Sequence, residues 1–168
     1  VILETRVRFV GDFHQDGSGD AVGTAGIGFW NSPVEYPTPD NPTGTFHPNT
    51  LIGFNWATDS NPIAKGFAAT ILKHDLPLDM KRPPFTLDMH DWMTLKLVWE
   101  AGESGGQQIH YWINEVEIGT SALPVPFTQP LTLTIWHDNQ SFNFMGTTFH
   151  NPVAEQSFQV DYVRIEQP

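Results

Sequence analysis

Residues Ser157–Gln167 read SFQVDYVRIEQ, and this stretch decides the fold class. Phe158, Val160, Tyr162 and then Val163 to Ile165 form a near-alternating apolar pattern of period two, with Asp161, Arg164 and Glu166 at its polar positions. Such alternation is what a strand needs when one face is buried and the other is wet. A strand this strong must pair with something. The matching stretch lies at the other end of the chain, Thr5-Arg6-Val7-Arg8-Phe9-Val10, so the termini are expected to meet in one sheet of a sandwich.

Between these ends the pattern predicts further strands at Gly23–Asn31 (GTAGIGFWN), Thr50–Thr58 (TLIGFNWAT), Gly66–Leu72, Trp92–Glu100 (WMTLKLVWE) and Leu131–Asn139 (LTLTIWHDN). Ile109–Ile118 (IHYWINEVEI) is expected to pair back on Trp92–Glu100 as a hairpin, with a bend near Asn114. Ala25, Ile27 and Phe29 alternate with Gly26, Gly28 and Trp30, and glycines on one strand face mark a place where another segment or a ligand approaches the backbone. Five prolines between residues 32 and 49 exclude helix or inner strand there and predict a long stiffened loop. Residues 73–91 and 141–156 read as connectors. No helical periodicity or internal repeat is present.

Composition narrows the function classes. The 168 residues fit one domain spanning 1–168, large enough to bury roughly 70% of its unfolded surface. The absence of Cys excludes disulfides, thiolate metal sites and thiol nucleophiles. Eight Lys and Arg against nineteen Asp and Glu leave a net charge of −11, which opposes nucleic acid and anionic membranes as partners. No run of eighteen apolar residues and no charged leader precede the first strand, so neither a membrane span nor a signal peptide is expected. A start at Val1 reads as a trimmed chain, and a secreted or extracytoplasmic setting is the expectation.

The strand order carries a resemblance. The run W-x-T-L-x-L-x-W-E at Trp92–Glu100, the hairpin into IHYWINEVEI, LPVPFTQP, LTLTIWHDN and the closing VDYVRI together resemble glycoside hydrolase family 16 and the wider concanavalin A-like lectin and glucanase superfamily. The resemblance covers most of the chain. It implies an all-β jelly roll of two curved antiparallel sheets, with a saccharide cleft on the concave face. It also implies a catalytic strand bearing Glu-x-Asp-x-(x)-Glu, whose alternate carboxylates act as nucleophile and acid/base. In this chain the equivalent strand is Leu51 to Trp56, and the cleft positions Leu51, Gly53 and Asn55 carry no carboxylate. An amide can hydrogen-bond a sugar but cannot shuttle a proton at neutral pH. Hydrolysis of the family type is therefore not expected, and no catalytic residue is assigned.

The candidate ligand-binding residues are Trp30, Asn55, Trp136, His137, Asp138 and Asn139. By strand parity Trp30 shares a face with Gly26 and Gly28, and Trp136 with Thr132 and Thr134, whereas Trp56 falls with Ile52 and Phe54 toward the core. An indole stacks on a sugar ring, and His137-Asp138-Asn139 supplies polar edge contacts. His47 is placed over the same cleft. Trp92, Trp99 and Trp112 read as packing residues. The acids Asp12, Asp16 and Asp20 with Ser18 suggest a hard-cation loop but lack EF-hand spacing. Asp161 matches the acidic position beside a structural calcium that the resemblance implies, and its other reading is an ion pair with Arg164 or Arg6. No HxH or HExxH spacing suggests a transition metal, and Ser18, Ser60 and Ser104 lack a nucleophile elbow. The expected function is non-catalytic carbohydrate binding, with oligo- or polysaccharide as partner and no required cofactor. Two rivals stand beside it. One is a glycosidase using Asp138 with Glu35 or Asp59, and the other is an adhesion module with no sugar site.

Overall fold

The computed structural model describes residues 1–31, 34–35, 45–46, 50–58, 65–73, 76–102, 105–123, 131–143, 146–149, 151–152 and 154–167. Every regular element among them is a strand: β1 (Ile2–Val10), β2 (Thr24–Asn31), β3 (Val34–Glu35), β4 (Thr45–Phe46), β5 (Thr50–Ala57), β6 (Gly66–Lys73), β7 (Leu76–Lys81), β8 (Met93–Ala101), β9 (Gln107–Ile113), β10 (Val116–Leu123), β11 (Thr132–Asp138), β12 (Gln140–Asn143), β13 (Gly146–Phe149) and β14 (Ser157–Glu166). The first sheet runs β10-β9-β8-β1-β14 and the second β11-β2-β5-β6-β7, with all neighbours antiparallel. The two chain ends lie side by side as β1 and β14.

The near-alternation of β14 has a local cause. Phe158 and Val160 lie opposite Phe9 and Val7, while Val163 and Ile165 lie opposite Thr5 and Leu3, so Asp161 is the extra residue of a β-bulge. The bulge lets Phe158, Val160 and Val163 all pack against the core despite the odd spacing, while Ile165 opposite Leu3 stays exposed. Thr5, fully buried on that face, donates its hydroxyl to the Tyr162 carbonyl at 2.7 Å, so the buried polar group is satisfied.

The core is the interleaf of the two sheets. Leu3, Val7, Phe9, Met93, Leu95, Leu97, Ile109, Tyr111 and Ile113 from the first sheet meet Ala25, Ile27, Ile52, Phe54, Trp56, Phe67 and Ile71 from the second. Phe54 abuts Tyr111 edge-on at 5.8 Å, and Phe9 abuts Phe67 at 6.0 Å. Each fully buried large aliphatic or Phe side chain contributes about 1.5–3 kcal/mol, which is why the chain needs no disulfide.

Four expectations are corrected. Ile109–Ile118 is not one bent strand: Asn114 and Glu115 take φ of 49° and 68°, the two positive values of a tight hairpin turn, and Val116 pairs with Ile113. The 73–91 connector contains β7, where Pro77 is tolerated because the strand lies at the sheet edge. The 141–156 connector contains most of the β12–β13 hairpin. Finally, of the three tryptophans read as packing residues only Trp99 packs against the core, 6.1 Å from Phe29. Trp92 and Trp112 are half-buried beside cations of the first sheet, Trp92 near Arg6 and Arg8 and Trp112 near Lys96.

Candidate functional site

The candidate residues gather on the face of the second sheet turned away from the first. Directly paired residues point the same way, so the register aligns Trp136, Gly26, Asn55 and Ala68 in one row and Thr134, Gly28, Gly53 and Thr70 in the next. Trp30 and Leu51 pair in a third row. The inner side of the same strands carries Ile27, Ile52, Phe54 and Trp56, all buried. Trp56 is fully buried, donates its indole N–H to the His14 carbonyl at 2.7 Å and meets Phe13 edge-on at 4.7 Å. The parity of these positions follows the sequence reading.

The glycine rows are filled by the protein itself. A Cβ at Gly53 would lie 2.6 Å from the Gly28 Cα, and one at Gly28 would lie 2.7 Å from the Gly53 Cα. These two glycines let β2 and β5 approach each other. A Cβ at Gly26 would meet Trp136 Cζ2 at 2.5 Å, so the indole lies directly on that glycine. Trp30 and Trp136 are both half-buried, with ring centroids 5.7 Å apart and planes inclined by 53°. Together they make an aromatic corner at the β11 edge. Inward of it the face is closed, with Asn55 at 6% and Leu51 at 4% exposure, and the buried Thr70 hydroxyl has no hydrogen-bond partner.

The polar run after Trp136 divides. His137 faces the other way, its ring 6.0 Å from Phe13 and its Nε2 3.1 Å from the Gln156 amide nitrogen. Burial holds the His137 pKa below its ordinary value, against the opposing pull of Asp138. Asp138 accepts from the Thr24 backbone N–H at 3.2 Å and from the Thr24 hydroxyl at 3.1 Å, anchoring β11 to the start of β2. Asn139 follows at a bend, against which Gly23 packs at φ 95° so closely that any Cβ would collide with it.

Among the described residues no three His, Asp or Glu side chains are arranged to hold a metal ion. Asp161 pairs with Arg6 at 3.2 Å, the ion-pair reading of that residue. In the 11–23 loop Asp12 accepts from the Asp20 N–H at 2.7 Å and faces His14 Nε2 at 3.0 Å, while Asp16 accepts from Ser18 N–H and Oγ at 3.0 and 2.6 Å. The Asp20 N–H and His14 hold Asp12 below the usual carboxylate range, and Ser18 does the same for Asp16. Asp40, His47, Asp59, Ser60, Ser104 and the side chain of Glu35 lie outside the described residues.

Sequence reasoning missed a second feature at one end of the sandwich. The 11–23 connection, which leads from the first sheet to the second, and the 82–92 connection, which leads back, flank a cleft of about 940 Å³. Each connection carries Asp-x-His, Asp12-Phe13-His14 and Asp88-Met89-His90, with the middle side chain buried in the core and the flanking pair hydrogen-bonded across two residues. That repeated triplet was the available signal. Searches against family models, curated proteins and solved structures find no match to this chain.

Proposed function

We propose that the chain is a non-catalytic carbohydrate-binding domain of the concanavalin A-like kind, with the Trp30–Trp136 corner as its sugar-stacking surface. The observation that carries the reading is the half-exposed pair of indoles 5.7 Å apart at the edge of the second sheet's outer face. Indoles supply flat apolar area for a sugar's C–H face. The two five-stranded antiparallel sheets with paired terminal strands agree with a jelly roll. Leu51, Gly53 and Asn55 stand on the face where a glucanase of family 16 would present carboxylates, and Asp138 has its oxygens engaged by Thr24. Both facts favour binding over hydrolysis.

The test is calorimetric titration of the wild type and Trp136→Ala with neutral oligosaccharides chosen from a glycan array. The variant is expected to bind at least tenfold more weakly, about 1.4 kcal/mol, while its melting temperature moves little. A wild type that binds no glycan, or a variant with unchanged affinity, overturns the reading. So does a large fall in melting temperature with affinity retained, which makes Trp136 only the cover of Gly26.

A further inference from the structure

We infer that the cleft between the 11–23 and 82–92 connections is a second ligand site, which takes the carboxylate of a single acidic sugar unit on an otherwise neutral glycan. The inference rests on the carbohydrate reading above but concerns a different part of the molecule. At about 940 Å³ the cleft falls in the range that small-ligand sites occupy, roughly 300–1,000 Å³. Arg82, Lys65, His14 and His90 line it above a floor that includes Phe67 and Met89. Two of the chain's eight Lys and Arg thus line one cleft of a protein whose net charge is −11, alongside Asp16 and Asp88.

The acids of the cleft keep their charge but accept hydrogen bonds from within the protein. Asp16 Oδ1 accepts from Ser18 N–H and Oγ, and Asp88 Oδ1 accepts from the His90 N–H at 2.9 Å and faces His90 Nδ1 at 3.1 Å. His14 is in turn held by Asp12. Arg82, by contrast, is exposed and has no hydrogen-bond or ion-pair partner among the described residues. A guanidinium offers a fixed fork of N–H donors that matches a carboxylate at two points, so an anionic group on the ligand is the complement it lacks.

The walls are preformed. Gln15 donates to the Phe85 carbonyl at 2.9 Å and accepts from the Leu87 N–H at 2.8 Å, and His90 Nε2 lies 2.7 Å from the Gly11 carbonyl. Each of these side chains ties one connection to the other, which lowers the ordering cost of binding. Charge sets the ligand's size. A long polyanion would be repelled by the net charge of −11, whereas the cleft's own cations act within a screening length of about 8 Å at physiological salt, the reach of one acidic unit.

The test is titration of a neutral tetrasaccharide and of the same tetrasaccharide carrying one glucuronate, with wild type, Arg82→Ala, Arg82→Lys and Trp136→Ala. The wild type is expected to bind the acidic form at least tenfold more tightly. Arg82→Ala should erase that gain without lowering neutral affinity or melting temperature, and Arg82→Lys should restore part of it. Equal affinity for the two sugars, or a gain that survives Arg82→Ala, overturns the inference and leaves the indole site standing. A gain that depends on Arg82 while neutral affinity ignores Trp136→Ala keeps this site and removes the indole site. Absence of all binding overturns both.

Discussion

The two sheets share a core but differ in what lies on their outer faces. On the first sheet that face is wet: Lys96 and Trp112 are half-buried with the ammonium 5.6 Å from the indole, and Trp92 takes Arg6 and Arg8 at 5.3 and 4.8 Å. On the second sheet the central strand β5 is buried at all eight positions, so neither face is open. One-sided burial writes alternation into a sequence, as in β1 and β8. Two-sided burial erases it and leaves a near-continuous apolar run with small residues where backbones touch. The second sheet is also where an indole can be held in place by glycines, which makes it the better support for a site.

The sharpest way to break this comparison is to cut one large side chain from each sheet. Trp56→Ala removes a fully buried indole of β5 and leaves the His14 carbonyl without its donor, so a loss of about 3–5 kcal/mol is expected in urea denaturation. Lys96→Ala on the wet face should cost no more than about 1 kcal/mol, the scale of an exposed cation–π contact. Similar losses for the two would deny that the sheets are buried so differently. Next in size is Gly53→Ala. The new methyl would lie 2.6 Å from the Gly28 Cα, and backbone rather than a flexible side chain must yield, so about 1–3 kcal/mol should be lost. If Gly53→Ala is as stable as wild type, the close approach of β2 and β5 is not a requirement of the sheet.

The same contrast explains what the sequence could reveal. Strands with one wet face, β1, β8 and β14, were legible from alternation alone, and even the break at Tyr162-Val163 carried information, since it marked the bulge at Asp161. Parity oriented Trp30, Trp136, Trp56, Leu51 and Asn55 on the second sheet because each strand there keeps its period even where both faces are buried. Other features were hidden. The turn at Asn114-Glu115 lacks the Gly that announces a positive φ at its second position, and Pro77 disguised β7. The fit of Trp136 onto Gly26 depends on a pairing between strands more than a hundred residues apart in sequence. His137 and Asp138, adjacent in sequence, act on opposite faces, a fact that follows from alternation but is lost when a polar run is read as one edge. The cleft escaped because its walls are two connections far apart in sequence, joined by the hydrogen bonds of His90 and Gln15 to distant backbone groups.

That seam yields the smallest of the expected effects, and it distinguishes joined sheets from merely stacked ones. The Gly11 carbonyl and then Asp88 hold His90 above its ordinary pKa, and the His90 backbone N–H and then its ring hold Asp88 below the usual carboxylate range. A raised histidine stabilises the fold fully below its unfolded value of about 6.5, and that contribution is lost as pH rises through the higher folded value. A depressed carboxylate contributes above about 3.9 and is lost as pH falls through its lower folded value. The tie between the connections is therefore strongest between about pH 4 and 6.5. Above the folded pKa of His90 the neutral ring carries one N–H and can no longer donate to both Gly11 and Asp88. His90→Gln should therefore lower the melting temperature most near pH 5 to 6, with the gap from wild type narrowing toward pH 9. Because His90 and Asp88 are both exposed, the gap should be small and should shrink further in molar salt. A gap that is constant across this range, or one that widens with pH, would mean that His90 joins the connections by shape alone.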